Sequence, residues 1–249
     1  MNISLLRIAA VSCVLNAVCV AHALDSWSLQ LSAEAGAGMH ALDLPRDGVI
    51  YQIRTGAYPA LGVMFELEHH SSEHFSLALV ARYQSSIGLV LREQLTGGVE
   101  HARKTRSHRA ELGIAPSWRW GDAGWMLTGA LGYSVSELDP ENHLLMPSYH
   151  LAGPFARVGV RIPLGSPSVA LRVAPDAQLT LGVGDELRAR GAAGSGVGVG
   201  ASAAVELGLS ERWTIAVTYR EQHNWLNSSQ GPTIEDSLRF ATAQLRGQL

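Results

Sequence analysis

The amino-acid sequence predicts an all-β fold: a transmembrane, antiparallel, up-and-down β-barrel of about ten strands, or eight if a weak pair fails, behind an N-terminal signal peptide. Three observations predict it. The chain opens on an export-type leader. Its body alternates apolar and polar residues with period two. The connections between those segments are alternately short and long.

The leader comes first. Arg7 is the only formal charge before Asp25, an apolar stretch runs from Ile8 to Ala21 with one interruption at Asn16, and Ala21-His22-Ala23 has the small-x-small form of a cleavage site. The stretch is short for a membrane-spanning helix. Residues 1–23 therefore read as a cleaved signal peptide, and residues 24–249 as one outer-membrane barrel domain. Val18 stands before Cys19 where a lipoprotein site wants a small residue. Cys13 and Cys19 both lie in the leader, so the exported chain would use neither disulfides nor thiolate ligands.

The strands follow. Residues 156–173 show the pattern twice: Ala156, Val158, Val160, Ile162 and Leu164 alternate with Arg157, Gly159 and Arg161, and after a Gly-Ser-Pro-Ser turn Val169, Leu171 and Val173 alternate with Ala170 and Arg172. Period two marks a strand with two unlike faces. The same pattern begins at Trp27, Leu61, Phe75, Leu112, Trp125, Val197 and Trp213, with a fainter last segment from Ser237 to Leu249. Pro116 and Pro175 fall inside two of these segments and predict a bulge or an earlier strand end, since proline removes a ladder bond.

Alternation alone does not separate a soluble sandwich from a membrane barrel. The connections do. Residues 69–74, 121–124, 165–168 and 210–212 are short turns; 36–58, 88–108, 137–153, 183–196 and 222–236 read as long polar loops. Sorting by end in this way is how outer-membrane barrels are built, with short turns in the periplasm. Aromatics agree. Trp27, Phe75, Trp118, Trp120, Trp125 and Trp213 sit beside the short turns and Tyr58, Tyr133 and Tyr219 beside the long loops, the arrangement expected of two membrane-interface girdles.

The opposite face is charged in both signs: Glu34, Glu66, Arg82, Glu111, Arg119, Arg157, Arg161, Arg172, Asp176, Glu206 and Arg220. In a barrel of this size these residues would point inward, pair across the lumen and mostly fill it. Aliphatics would face lipid.

On these features the chain resembles the small outer-membrane β-barrel proteins, the OmpA/OmpX-like or outer-membrane-protein β-barrel superfamily. The resemblance is architectural and spans nearly all of the exported chain. It implies a Gram-negative cell envelope and, as partners, outer-membrane lipid, lipopolysaccharide and the barrel assembly machinery. Barrels of that kind usually end in an aromatic residue, whereas this chain ends Leu245-Arg246-Gly247-Gln248-Leu249.

Few residues suggest chemistry. Some barrels of the family are lipid hydrolases that use His, Ser and an acid. The turn from Glu66 to His74 has those types and candidate metal ligands, but turns favour such residues and this one faces the wrong leaflet. Glu221, His223, Asn224, Ser228, Ser229 and Asp236 gather on the loop side without a recognisable spacing. His101, Arg103, Lys104, Arg106, His108 and Arg109 form the basic patch, which could meet lipopolysaccharide phosphates or be balanced by acidic loops around Asp139, Glu141, Asp185 and Glu186. The glycines of 191–200 precede no GKS/T and no helix, so they form no phosphate loop. The net charge of −3 gives no reason to invoke nucleic acid. No cofactor is implied and no catalytic residue is assigned. The sequence thus favours a non-enzymatic barrel with a structural or surface-binding role. A narrow porin-like channel is the alternative, and an outer-leaflet lipid hydrolase a further one.

Overall fold

A computed structural model describes residues 26–46, 49–94, 100–121, 124–140, 148–166, 168–189, 191–228 and 232–249. The expected leader, residues 1–23, lies outside them, and so does Glu141.

The strands in chain order are β1 (Trp27–Arg46), β2 (Val49–Thr55), β3 (Tyr58–His70), β4 (Phe75–Ser86), β5 (Leu89–Gln94), β6 (Glu100–Trp120), β7 (Trp125–Pro140), β8 (Tyr149–Pro163), β9 (Val169–Thr180), β10 (Gly182–Val183), β11 (Ala192–Gly208), β12 (Trp213–Ser228) and β13 (Ile234–Gln248). A single helical turn, α1 (Asp185–Ala189), lies between β10 and β11. Antiparallel pairing runs β1–β3–β4–β6–β7–β8–β9–β11–β12–β13 and returns to β1 through fourteen residue pairs from Gln30↔Gln248 to Asp43↔Glu235. This is a closed barrel of ten strands. Closure leaves no open edge for another chain to pair with.

β2 and β5 are the outer halves of two of these ten. β2 leads into β3 across Gly56-Ala57, and β4 leads into β5 across Ile87-Gly88, where Gly88 takes φ 60°. Together they fill the wall between the long ends of β1 and β6. At the other end the turns are tight, with Gly121, Gly124 and Gly165 at φ 69°, 78° and 71°, values that favour glycine.

Strand length corrects the sequence reading. β6 has 21 residues and β1 has 20. At about 3.3 Å per residue and roughly 40° of tilt, 21 residues reach about 50 Å, twice the ~25 Å apolar band of such a barrel. The stretches 36–58, 88–108, 137–153 and 222–236 are thus largely strand, and the ten-stranded wall continues well past the lipid-facing zone.

The reason lies in which face is apolar. In the short-turn half, outward residues such as Leu61, Val63, Ile114, Val158, Val205 and Val217 are exposed aliphatics, and the inward ones are polar. In the long-loop half the sides exchange. Leu42, Leu44, Ile53, Leu138, Leu151 and Leu226 point inward and are buried, while Asp43, Arg54, Arg106, Asp139, Glu221 and Arg239 face out. Outside the bilayer the wall meets water, so the ordinary soluble rule returns.

Neither proline produces the expected bulge or early end. The β6–β7 register passes from Ile114↔Leu131 to Ser117↔Thr128 without an offset, and β8–β9 passes from Arg157↔Asp176 to Val160↔Val173 likewise. Pro116 remains opposite Leu77 and Pro175 opposite Ala201 on their other sides. Each ring costs ladder bonds on one side only, and the strand continues.

One close approach in this wall gives a test. A Cβ on Gly153 would lie 1.7 Å from the Leu179 carbonyl oxygen. Gly153→Val is expected to wedge β8 from β9, and to lower the urea concentration at which the heat-modifiable folded band disappears from a gel. An unchanged midpoint would mean that the seam is looser than described.

Candidate functional site

The inward face is layered. At the short-turn end, Glu206 gathers three guanidiniums: Arg161 Nε at 2.9 Å, Arg172 at 3.2 Å and Arg246 at 3.0 Å. Glu34 holds Arg82 at 2.7 Å and accepts a bond from Gln244 Nε2 at 2.6 Å. Higher up, Glu111 gathers a second set: Arg109 at 3.0 Å, Arg220 at 2.8 Å and Arg157 at 3.4 Å. Arg220 also reaches Asp176 at 3.2 Å. Period two on facing strands supplies all of these groups to one space.

Glu66 faces the same space, within the field of Arg172 and Arg246. Arg119 is the exception among the predicted lumen charges. It stands exposed at the short-turn rim of β6, beside Trp120, apart from the network. The barrel ends there, so an inward position has no opposite wall to meet.

Above Glu111 the polar network narrows. Arg109 donates to Gln222 Oε1 (2.7 Å), Gln222 donates to Gln178 (2.8 Å) and Asn224 (3.0 Å), and Asn224 donates to Asp236 (2.8 Å). Asp236 is also bonded to His40 Nε2 and accepts from Tyr149 Oη at 2.7 Å. These three side chains are buried.

An apolar tier lies beyond them. Leu42, Ile53, Leu89, Leu138, Leu151, Leu226 and Ile234 pack inside the wall, and α1 inserts Leu187, fully buried, among them. Glu186 tethers that turn by accepting the Ser148 amide at 2.8 Å. The glycine-rich 191–200 stretch is mostly strand β11.

The two residue clusters rich in catalytic types come apart. Asn224 and Asp236 point inward, whereas Glu221 and His223 lie on the outer face, where Glu221 accepts from Arg239 (2.8 Å) and pairs with His223 (2.9 Å). A strand wall separates the two halves; Ser229 lies outside the described residues. In the 66–74 turn, His69 stacks on Trp27 at 4.7 Å, His70 meets Ser28 Oγ at 3.3 Å, and Ser72 Oγ caps the Phe75 amide at 3.0 Å. These contacts hold the turn together.

The basic patch is also divided. Arg109 belongs to the lumen, Arg106 lies opposite Asp139 on the outer wall, and His108 meets Tyr83 Oη at 2.8 Å. The side chains of His101 and Arg103 lie outside the described residues.

Among the aromatics, Trp118, Trp120, Trp125 and Trp213 are exposed on the outer wall at the short-turn end, with Trp27 and Phe75 half-buried beside them. Tyr133 and Tyr219 face out nearer the long loops. Tyr58 does not. It is buried inside, edge-on to Phe240 at 6.3 Å between ring centroids. Its position explains this: Tyr58 is two residues from inward Ala60, whereas outward Leu61 and Val63 are three and five away. Trp225, stacked on His223 at 6.2 Å, is an outward aromatic of that end that the sequence reading missed.

No family model matches the chain, and no curated protein does. Solved structures with a similar course are outer-membrane barrels. The translocator domain of the autotransporter NalP from Neisseria meningitidis is 12% identical, with 97% of this chain and 95% of that one covered and a TM-score of 0.49. The outer-membrane protease OmpT from Escherichia coli is 8% identical over 89% and 97%, with a TM-score of 0.48. OprG from Pseudomonas aeruginosa is 8% identical over 88% and 95%, with a TM-score of 0.39. At such identities the likeness concerns architecture alone. The ten-stranded barrel rests on the chain's own strand pairing.

Proposed function

We propose that this protein is a non-enzymatic outer-membrane barrel whose lumen is shut and whose role is structural or surface-binding, performed by the end that projects beyond the bilayer. The observation that supports the reading is an apolar tier packed around Leu187 above a layer of charges paired on Glu111. Water and ions would have to cross both. The long-loop half, with a polar outer wall over an apolar interior, has the make-up of a soluble binding domain fused to a membrane anchor. Lipid and lipopolysaccharide would contact the outer wall, and the barrel assembly machinery would insert it.

Single-channel recording of the refolded protein in a planar bilayer tests this. A folded barrel is expected to give no discrete current steps. Steady steps would favour the porin-like alternative. The hydrolase alternative has less support, because the wall splits Glu221 and His223 from Asn224 and Asp236. Unchanged phospholipid and lipid A after incubation with the folded protein are the expected result.

A further inference from the structure

The charge network of the lumen is close to balanced in number but not in what it displays. In four of its ion pairs the guanidinium is the accessible member. Arg82 is 19% exposed and its partner Glu34 1%. Arg157 is 24% exposed and Glu111 7%. Arg161 and Arg172 are 22% and 31% exposed, and the Glu206 they share is 5%. In these four pairs the carboxylate is the buried member and the guanidinium the accessible one; Glu68, 28% exposed on β3, is the accessible carboxylate of the same face.

The cations also crowd one another. Arg161 and Arg172 are direct cross-strand partners on β8 and β9. Like charges in that position repel unless something lies between them. One carboxylate, Glu206, serves both of them and Arg246. Arg172 is held by a single contact, and its Nε is buried with no hydrogen-bond partner among the described residues. Two acidic residues oppose this excess. Glu66 and Glu68 stand on β3, half-way round the ring from β9; Glu68 is hydrogen-bonded by Ser76 Oγ, and Glu66 acts on Arg172 from across the lumen and on Arg246 from two strands away.

We infer that the short-turn half of the lumen is a dead-end vestibule that binds a small soluble oxyanion of the phosphate or sulfate type, with Arg172 as its main contact and Arg161 beside it. Guanidinium forks match such oxyanions in geometry, and cations left accessible above buried carboxylate partners are the groups an entering anion meets. The hydrogen-bonded wall is continuous, which keeps lipid phosphates out and leaves the short-turn opening as the route of entry. The vestibule is a dead end only if the lumen is shut, so this inference rests on the reading given above.

The test uses the refolded protein in a sugar detergent without phosphate, titrated calorimetrically with inorganic phosphate. Saturable binding is expected, about tenfold weaker in Arg172→Gln, as for loss of one charged hydrogen-bond partner, and unchanged in Arg106→Gln on the outer wall. A second measurement needs no variant: phenylglyoxal should modify Arg172 in the folded barrel, and phosphate should slow it. Absence of saturable binding, equal binding by Arg172→Gln, or a modification rate indifferent to phosphate would each overturn the inference. Conductance of the same preparation reports separately on closure: current steps with phosphate binding intact would remove the dead end and leave the anion site standing.

Discussion

Glu111→Gln is expected to be among the most destabilising conservative changes in this protein, at about 3–5 kcal/mol. Glutamine keeps the shape of the side chain and removes only its charge. Arg109 and Arg220 would then lie almost dry, 8% and 7% exposed, with Asp176 as the carboxylate left to Arg220. A buried guanidinium cannot escape by losing its proton, because its intrinsic affinity for it is too high. It must drag water in or force the wall apart. The readout is the urea midpoint of the folded band, compared with Glu221→Gln, an exposed carboxylate on the outer wall that should cost at most about 1 kcal/mol. Equal midpoints for the two variants would show that water already reaches Arg109 and Arg220. Replacing Arg109, Glu111, Asp176 and Arg220 together by Met, Leu, Leu and Met should recover much of the loss, since an apolar set of similar volume escapes the desolvation cost and strands no partner of Arg220.

The barrel was legible where membrane and lumen demand opposite chemistry. Val197, Val199, Val205 and Leu207 against Gly196, Gly198, Ala204 and Glu206 show the alternation plainly, and β11 spans them all. It was hidden where the wall leaves the bilayer. Leu42, Asp43, Leu44 and Ile53, Arg54 alternate just as strictly, but with the polar side outward, and beside other charged residues they read as loop. Period two was intact; the phase had reversed with the solvent. Tyr58 was misplaced for a related reason, having been judged by nearness to a loop and not by its step from Ala60.

Of the lumen, the residues in the membrane half were predicted because a charge inside a lipid-facing strand stands out: Glu34, Arg157, Arg161, Arg172 and Glu206. Arg109 and Arg246 were not. Arg109 lies in a run of basic residues, and its inward turn is visible only once β6 is known to continue past it. Arg246 lies in the faint last strand. His40 and Tyr149, which meet Asp236 from β1 and β8, are 196 and 87 residues away from it in sequence. No local pattern could join them; the strand order does.

Leu187→Asp separates the two barriers. The substitution places a carboxylate among Leu42, Leu89, Leu138, Leu151 and Leu226. The five-residue turn can relieve this by lifting out of the barrel mouth, so the loss is bounded by the Leu burial and the cavity it leaves, about 2–5 kcal/mol. Arg188, exposed on the same turn, should then become a fast tryptic site, while the strands below remain protected. The lifted turn opens only the outer barrier. Glu111, Arg109 and Arg220 still bridge the lumen beneath it, so the variant should stay silent in a planar bilayer. Adding Glu111→Gln to Leu187→Asp opens the outer barrier and strips Arg109, Arg157 and Arg220 of the carboxylate they share, and current steps are expected from the folded double variant. If Leu187→Asp alone conducts, the paired charges already leave a water path, and the apolar tier is a gate over a channel lined by ion pairs.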